Sequence, residues 1–218
     1  MPPTDRFVIS FAAEPPQDAL PNGRWADTLR SNFLTACKAL EESEPEPPEE
    51  GEEPEGPVAL GTVGEIKWFP DRTYGGRTYV PAVARTSEGL EVYGYVSFAE
   101  GDGETSAPSD FQAFADYTSE LAEDNPDWKI DLNDEVIGLW RGEQDNRAEI
   151  TLVWGSPRVP GGKLVTAELA NLAVDQCELV EERFTLVAPD NYRGDYLEVK
   201  LWDGRGGELA DESIYAED

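Results

Sequence analysis

Carboxylates are the abundant reactive groups of this chain: 46 Asp and Glu stand against 17 Lys and Arg, and histidine is absent. Without imidazole there is no ordinary base near pH 7, no Ser-His-Asp or Cys-His arrangement, and no mixed His/Cys zinc site. Cys37 and Cys177 are the two cysteines, too few for a Cys-rich zinc site. They read as small semi-buried side chains of a reducing compartment rather than as a disulfide framework. Neither G-x-x-x-x-G-K-S/T nor G-x-G-x-x-G occurs, so no phosphate-cradling loop announces itself. Carboxylate chemistry remains, above all glycoside hydrolysis by two acids about 5 to 10 Å apart. Among 46 acids some such pair falls together by chance, so proximity alone carries no weight. Asp102, Glu104 and Asp110 form one acidic loop, and Asp190, Asn191 and Asp195 another. Oxygen donors suit a hard cation, but neither loop has EF-hand spacing and both read first as solvated turns. No cofactor is expected.

Binding residues stand out more than catalytic ones. In WFPDRTYGGRTY, Arg72 and Arg77 lie among Trp68, Tyr74 and Tyr79. Such a segment could hold a partner's carboxylate against rigid aromatic area; a hairpin with cross-strand Arg-aromatic contacts is the plainer reading. The run from Glu41 to Pro57, which includes Glu49, Glu50, Glu52 and Glu53, has neither a base nor an apolar anchor. It reads as an extended linker, or as a dock for a basic partner.

The formal charge is -29. Residues 1–40 sum to zero, 41–60 to -9, 61–130 to -8 and 131–218 to -12, so the folded parts are acidic as well. Such a field repels phosphate backbones and anionic lipid, which argues against direct nucleic-acid or membrane binding and favours a basic protein surface. No segment approaches the run of about 18 apolar residues that a spanning helix needs, and the opening residues lack a secretory pattern. Two origins of the acidity compete. High-salt adaptation would scatter carboxylates over every face, whereas docking would gather them on one.

These residues must be positioned by a core, and 6 Trp, 8 Tyr and 8 Phe supply the apolar area for it. Arg6–Ala13 suits a strand. Trp25, Leu29, Phe33, Ala36, Cys37 and Leu40 recur at three- and four-residue steps and predict an amphipathic helix over 24–40. Strands are expected at Thr62–Phe69, Arg77–Arg85 and Leu90–Phe98, the second placed at an edge or bulge by Pro81. Phe111, Phe114, Tyr117, Thr118 and Leu121 predict a second helix, capped by Ser109 and ended at Asn125-Pro126. EVIGLWRG, RAEITLVWG and LEVKLWD follow as strands, while GKLVTAELANLAV and QCELVEERFTLVA are ambiguous.

The pattern predicts an α+β protein, mainly antiparallel β-sheet with about two helices packed against it and eight or nine strands. It divides into residues 1–40, an acidic linker at 41–59, and a β-rich domain over 60–218. The function expected is a non-catalytic cytoplasmic adaptor, inhibitor or immunity-type factor that binds a basic partner. A carboxylate-dependent hydrolase, such as one acting on carbohydrate, is one alternative. A structural subunit of a larger assembly, with helix 24–40 available for homo-oligomer contacts, is another.

Overall fold

A computed structural model describes residues 25–42, 58–99, 108–142 and 146–215. Among them lie one long helix, α1 (Ala26–Glu42), a single 3-10 turn (Ala122–Asp124) and twelve strands. The strands are β1 (Val63–Trp68), β2 (Arg72–Tyr74), β3 (Arg77–Thr86), β4 (Glu91–Ala99), β5 (Ser109–Thr118), β6 (Ile130–Arg141), β7 (Arg147–Pro157), β8 (Gly162–Leu169), β9 (Leu172–Glu178), β10 (Phe184–Asp190), β11 (Leu197–Asp203) and β12 (Glu208–Ser213). All pairing is antiparallel, in three sheets. Sheet A has the order β1-β3-β4-β5, with β2 beside β3. Sheet B is β10-β7-β6, and sheet C is β12-β11-β8-β9. The fold is thus α+β and predominantly antiparallel.

The layers follow from alternation of side chains along each strand. Val80, Ala82, Ala84, Val92, Val96 and Ala115 on one face of sheet A meet Leu29, Phe33 and Cys37 of α1. Each large side chain buried there contributes roughly 2 to 3 kcal/mol. The helix spends its expected apolar stripe on the sheet, which removes that stripe as a free self-docking face. Tyr79 and Val83 on the opposite face, with Phe69, meet Ile150, Leu152, Trp154 and Val187 of sheet B. Sheet B turns Val153, Phe184, Leu186 and Ala188 the other way, onto Val165, Ala167, Val199 and Leu201 of sheet C. Covered on both faces, β10 is buried at all seven positions, Thr185 and Asp190 included, and the run Leu186–Ala188 is apolar on both parities, as such a strand requires.

Three local expectations are corrected. Residues 109–118 form β5, not a second helix. Phe111, Ala113, Ala115 and Tyr117 pack toward α1, while Phe114 on the other parity stacks on Tyr95 at 5.7 Å. Aromatics at 111, 114 and 117 satisfy a three-residue step and a two-residue alternation at once, and β4 supplies the partner that decides between them.

Secondly, Pro81 lies in the central strand β3, not at an edge. Its carbonyl accepts the Phe69 N–H at 3.0 Å, so its missing donor faces the break between β1 and β2. Thirdly, the ambiguous GKLVTAELANLAV is the β8–β9 hairpin. Ala170 and Asn171 at its tip both have positive φ, 53° and 61°, as a two-residue turn with the sheet's twist requires.

At the end of α1, Glu41 Oε1 accepts the N–H groups of Leu60 and Gly61 at 3.0 and 3.2 Å. Residues 41 and 60 therefore meet at one place, against the sheet. Gly94 has a packing reason: a Cβ there would stand 2.1 Å from the Phe114 carbonyl oxygen.

Candidate functional site

Beyond the apolar contact of sheets A and B, strands β4 and β5 face β6 across a cleft whose walls carry carboxylates. In β3, β4 and β5, Val83, Tyr93 and Asp116 are cross-strand neighbours and share the face toward sheet B, as does Glu91. In sheet B, Asp131, Asn133 and Glu135 stand opposite Ser156, Trp154 and Leu152. Directly opposed residues share a face, so these three look toward sheet A with Trp154. A hollow of about 160 Å³ opens here, lined by Glu91, Tyr93, Thr118, Glu120, Trp128, Asp131, Leu132, Asn133 and Asp134. It falls below the roughly 300 Å³ of an ordinary small-molecule pocket, yet exceeds the share of about 30 Å³ taken by one water. That space suits the tip of a side chain better than a sugar ring with its neighbours.

Burial sets the electrostatics. Desolvation first, then Asp131, pushes the Glu91 carboxyl up to about 7, although Arg85 and Lys67 pull the other way. Glu135 rises to about 7 through desolvation and the nearby charges of Asp134 and Asp116. Asp134 rises to about 6 through desolvation and Asp190. Asp131 is also raised, chiefly by burial, against Lys67 and Arg158. The cleft is therefore graded. Its Glu91 end has neighbouring bases, with Arg85 Nε at 3.2 Å from Glu91 and Lys67 donating to Ser156 Oγ at 2.7 Å. Among the described residues, the charges that act on Glu135 are the carboxylates of Asp134 and Asp116. Tyr93 Oη donates to Asp116 Oδ2 at 3.4 Å, which leaves an aromatic wall beside the acids.

The residues singled out from sequence lie elsewhere and do not converge. Trp68 faces the helix, its ring 6.0 Å from Phe33. Arg72 is 2% exposed and its Nη2 donates to both Asp175 oxygens at 2.7 and 2.6 Å. Tyr79 is buried, edge-on to Tyr95 at 5.4 Å, and Tyr74 packs against the same cluster between sheets A and B. Arg77 binds Asp110 Oδ2 at 2.5 Å and the Asp110 carbonyl at 2.7 Å, so Asp110 answers to an arginine. Glu49, Glu50, Glu52, Glu53, Asp102 and Glu104 lie outside the described residues. Among the described residues no three Asp, Glu or Cys side chains form a metal-holding group, and no helix is long and apolar enough to cross a membrane.

Sequence reasoning missed Glu91, Asp116, Asp131, Asp134 and Glu135. The one available signal was the placement of acids inside strand patterns, where a half-buried carboxylate is costly. No family model, curated protein or solved structure matches this chain.

Proposed function

We propose that this protein is a non-catalytic binding protein that takes up a basic protein partner, with the cleft between β4/β5 and β6 receiving the partner's Lys or Arg side chains. One observation carries the reading: Asp116 of sheet A and Glu135 of sheet B lie on the faces that the two sheets turn toward each other, and Asp116 is among the charges that act on Glu135. A cation entering there relieves repulsion and replaces lost hydration, so it gains more than at a scattered surface acid. An adaptor, an inhibitor or an immunity-type factor would all use such a site, and an inhibitor of a nucleic-acid-binding protein is one form of it. The unpaired, buried thiols of Cys37 and Cys177 support a cytoplasmic setting. The acidic run around Glu49, Glu50, Glu52 and Glu53 belongs to the proposal as a second attraction for the same kind of partner.

Titration calorimetry with a hexalysine peptide at low salt tests the site. The double variant Asp116→Asn/Glu135→Gln is expected to weaken binding by about tenfold or more, the scale of one or two charge-assisted contacts. Glu208→Gln/Asp211→Asn, which removes the same charge from exposed β12 positions, is expected to change it by less than about twofold. Equal losses in the two variants would mean an evenly coated acidic surface and would end the docking proposal.

A second reading has an observation in its favour. The hollow combines raised acids, Glu91 and Asp131, with flanking Tyr93 and Trp128, as a carboxylate-dependent hydrolase acting on carbohydrate requires. Its small volume argues against a bound sugar chain. Turnover of aryl glycosides, lost in Glu91→Gln, is the result that reading needs.

A further inference from the structure

We propose that the partner is engaged as an added β-strand along the free edge of β6, and that the segment it offers is extended and alternates Lys or Arg with apolar residues. This rests on the cleft reading above and supplies the partner's form. Among the described residues β6 pairs with β7 alone, so its other edge carries unpaired peptide groups, the template that strand addition uses.

Two hydrogen bonds fix which groups those are. The Arg158 N–H donates to the Lys129 carbonyl at 2.8 Å, continuing the register in which Ile130 faces Pro157. Peptide groups therefore turn toward β7 at Asp131, Asn133 and Glu135, and outward at Leu132, Asp134 and Val136, because antiparallel pairs alternate between bonded and non-bonded. Pro157, without an N–H, sits opposite Ile130 at a non-bonded pair, as this alternation demands. Beyond the irregularity between Val136 and Gly138, the Gly142 N–H donates to the Asn146 carbonyl at 2.9 Å. That sets Leu139 and Arg141 outward in turn.

Side chains alternate in step. Those of Asp131, Asn133 and Glu135 enter the cleft, while Leu132, Asp134, Val136 and Leu139 lie on the opposite face, Val136 and Leu139 being 41% and 64% exposed. A strand laid along this edge would place every second side chain beside the carboxylates and the others beside Val136 and Leu139. Charge complementarity makes the first set basic, and the exposed aliphatics make the second apolar. The stretch from Leu132 to Val136 matches the usual strand length of about five residues. A second copy is a poor occupant, since its own Asp131 and Glu135 would face like charges across the new pair. The inward acids thus bar self-pairing and admit a basic strand.

The test uses the full chain and a seven-residue peptide, Lys-Val-Lys-Val-Lys-Val-Lys, with a same-composition peptide of clustered lysines as control. The alternating peptide is expected to bind at least about tenfold tighter, the scale of a few main-chain hydrogen bonds. N-methylation of its lysine amides and of its valine amides should have unequal effects, because only one set can face β6. On the protein side, Val136→Pro and Leu139→Pro each remove an outward N–H with charge unchanged. Each should weaken binding about tenfold, and clearly more than Val136→Ala, which keeps the N–H; circular dichroism establishes that the variants are folded.

Equal effects of the two methylations, or undiminished binding by both folded proline variants, would overturn strand addition. If Asp116→Asn/Glu135→Gln still weakened binding in that case, the cleft reading would survive; if it did not, both would fall. A wild-type dimer in light scattering that Val136→Pro dissolves would assign the edge to a second copy and likewise overturn the proposal.

Discussion

Replacing Asp175 with alanine is expected to cost about 3 to 5 kcal/mol of folding stability, the penalty for stranding a buried charge. Asp175 on β9 joins the three sheets: both its oxygens accept from Arg72 Nη2 on β2, and Oδ2 also accepts the Val187 N–H of β10 at 2.9 Å. The side chains are 1% and 10% exposed, so water cannot replace the lost partner. Arg72 Nε and Nη1 already lack hydrogen-bond partners, so losing Asp175 removes the carboxylate that holds the guanidinium. At roughly 2 to 4 °C per kcal/mol for a chain of this size, the midpoint should fall by about 6 to 20 °C. The double variant Arg72→Met/Asp175→Leu should recover most of the loss, because a well-packed apolar pair removes both desolvation costs. Urea melts of wild type, Arg72→Met, Asp175→Leu and the double variant give the coupling. A single Asp175→Ala loss below about 1 kcal/mol would show that the pair is not the latch between sheets.

That latch also shows where sequence reading stops. Arg72 looked like a surface anchor because it lies among Trp68, Tyr74 and Tyr79, yet its partner is 103 positions away, and no local pattern encodes that meeting. The helix was legible because Leu29, Phe33 and Cys37 repeat at helical steps whatever lies opposite. The hairpins were legible because turn residues and two-residue alternation are local too. Ser109–Thr118 was misread because its aromatics satisfy both periods, and only pairing with β4 resolves them. The cleft was illegible for a related reason: Glu91 and Asp116 come from one sheet and Glu135 from another, and the raised pKa values of Glu91 and Glu135 are properties of the seam. What composition did convey was the absence of imidazole chemistry and an acidic surplus in the folded parts. The placement of that surplus required the stacking order of the sheets.

Binding of a basic partner should strengthen by about two orders of magnitude between pH 5.5 and 7.5, while the fold itself becomes less stable over the same range. Both trends come from Glu91 and Glu135, held near 7; Asp134, near 6 and on the opposite face of β6, adds to the stability trend alone. In the unfolded chain these carboxyls titrate near 4, so the folded protein holds more protons between about pH 4 and 7. Their contribution to stability is therefore fully present below the unfolded values and is lost as pH rises through 6 to 7. Discounted for partial exposure, the summed effect is about 2 kcal/mol, or a midpoint roughly 4 to 8 °C higher at pH 5.5 than at pH 8. A cation in the cleft requires the ionised forms. Each group near 7 that must give up its proton on binding costs about a factor of 20 at pH 5.5 relative to pH 7.5, and incomplete coupling brings the total to about a hundredfold. Glu135→Gln should flatten both curves: less stabilisation by acid, and weaker, less pH-dependent binding. Ordinary screening of a uniformly acidic surface does not tie both slopes to one residue. Calorimetric titrations and thermal melts across this range, on wild type and Glu135→Gln, read the two slopes directly. Wild-type affinity that holds constant from pH 5.5 to 7.5 would show that the cleft is not where the partner's charge goes.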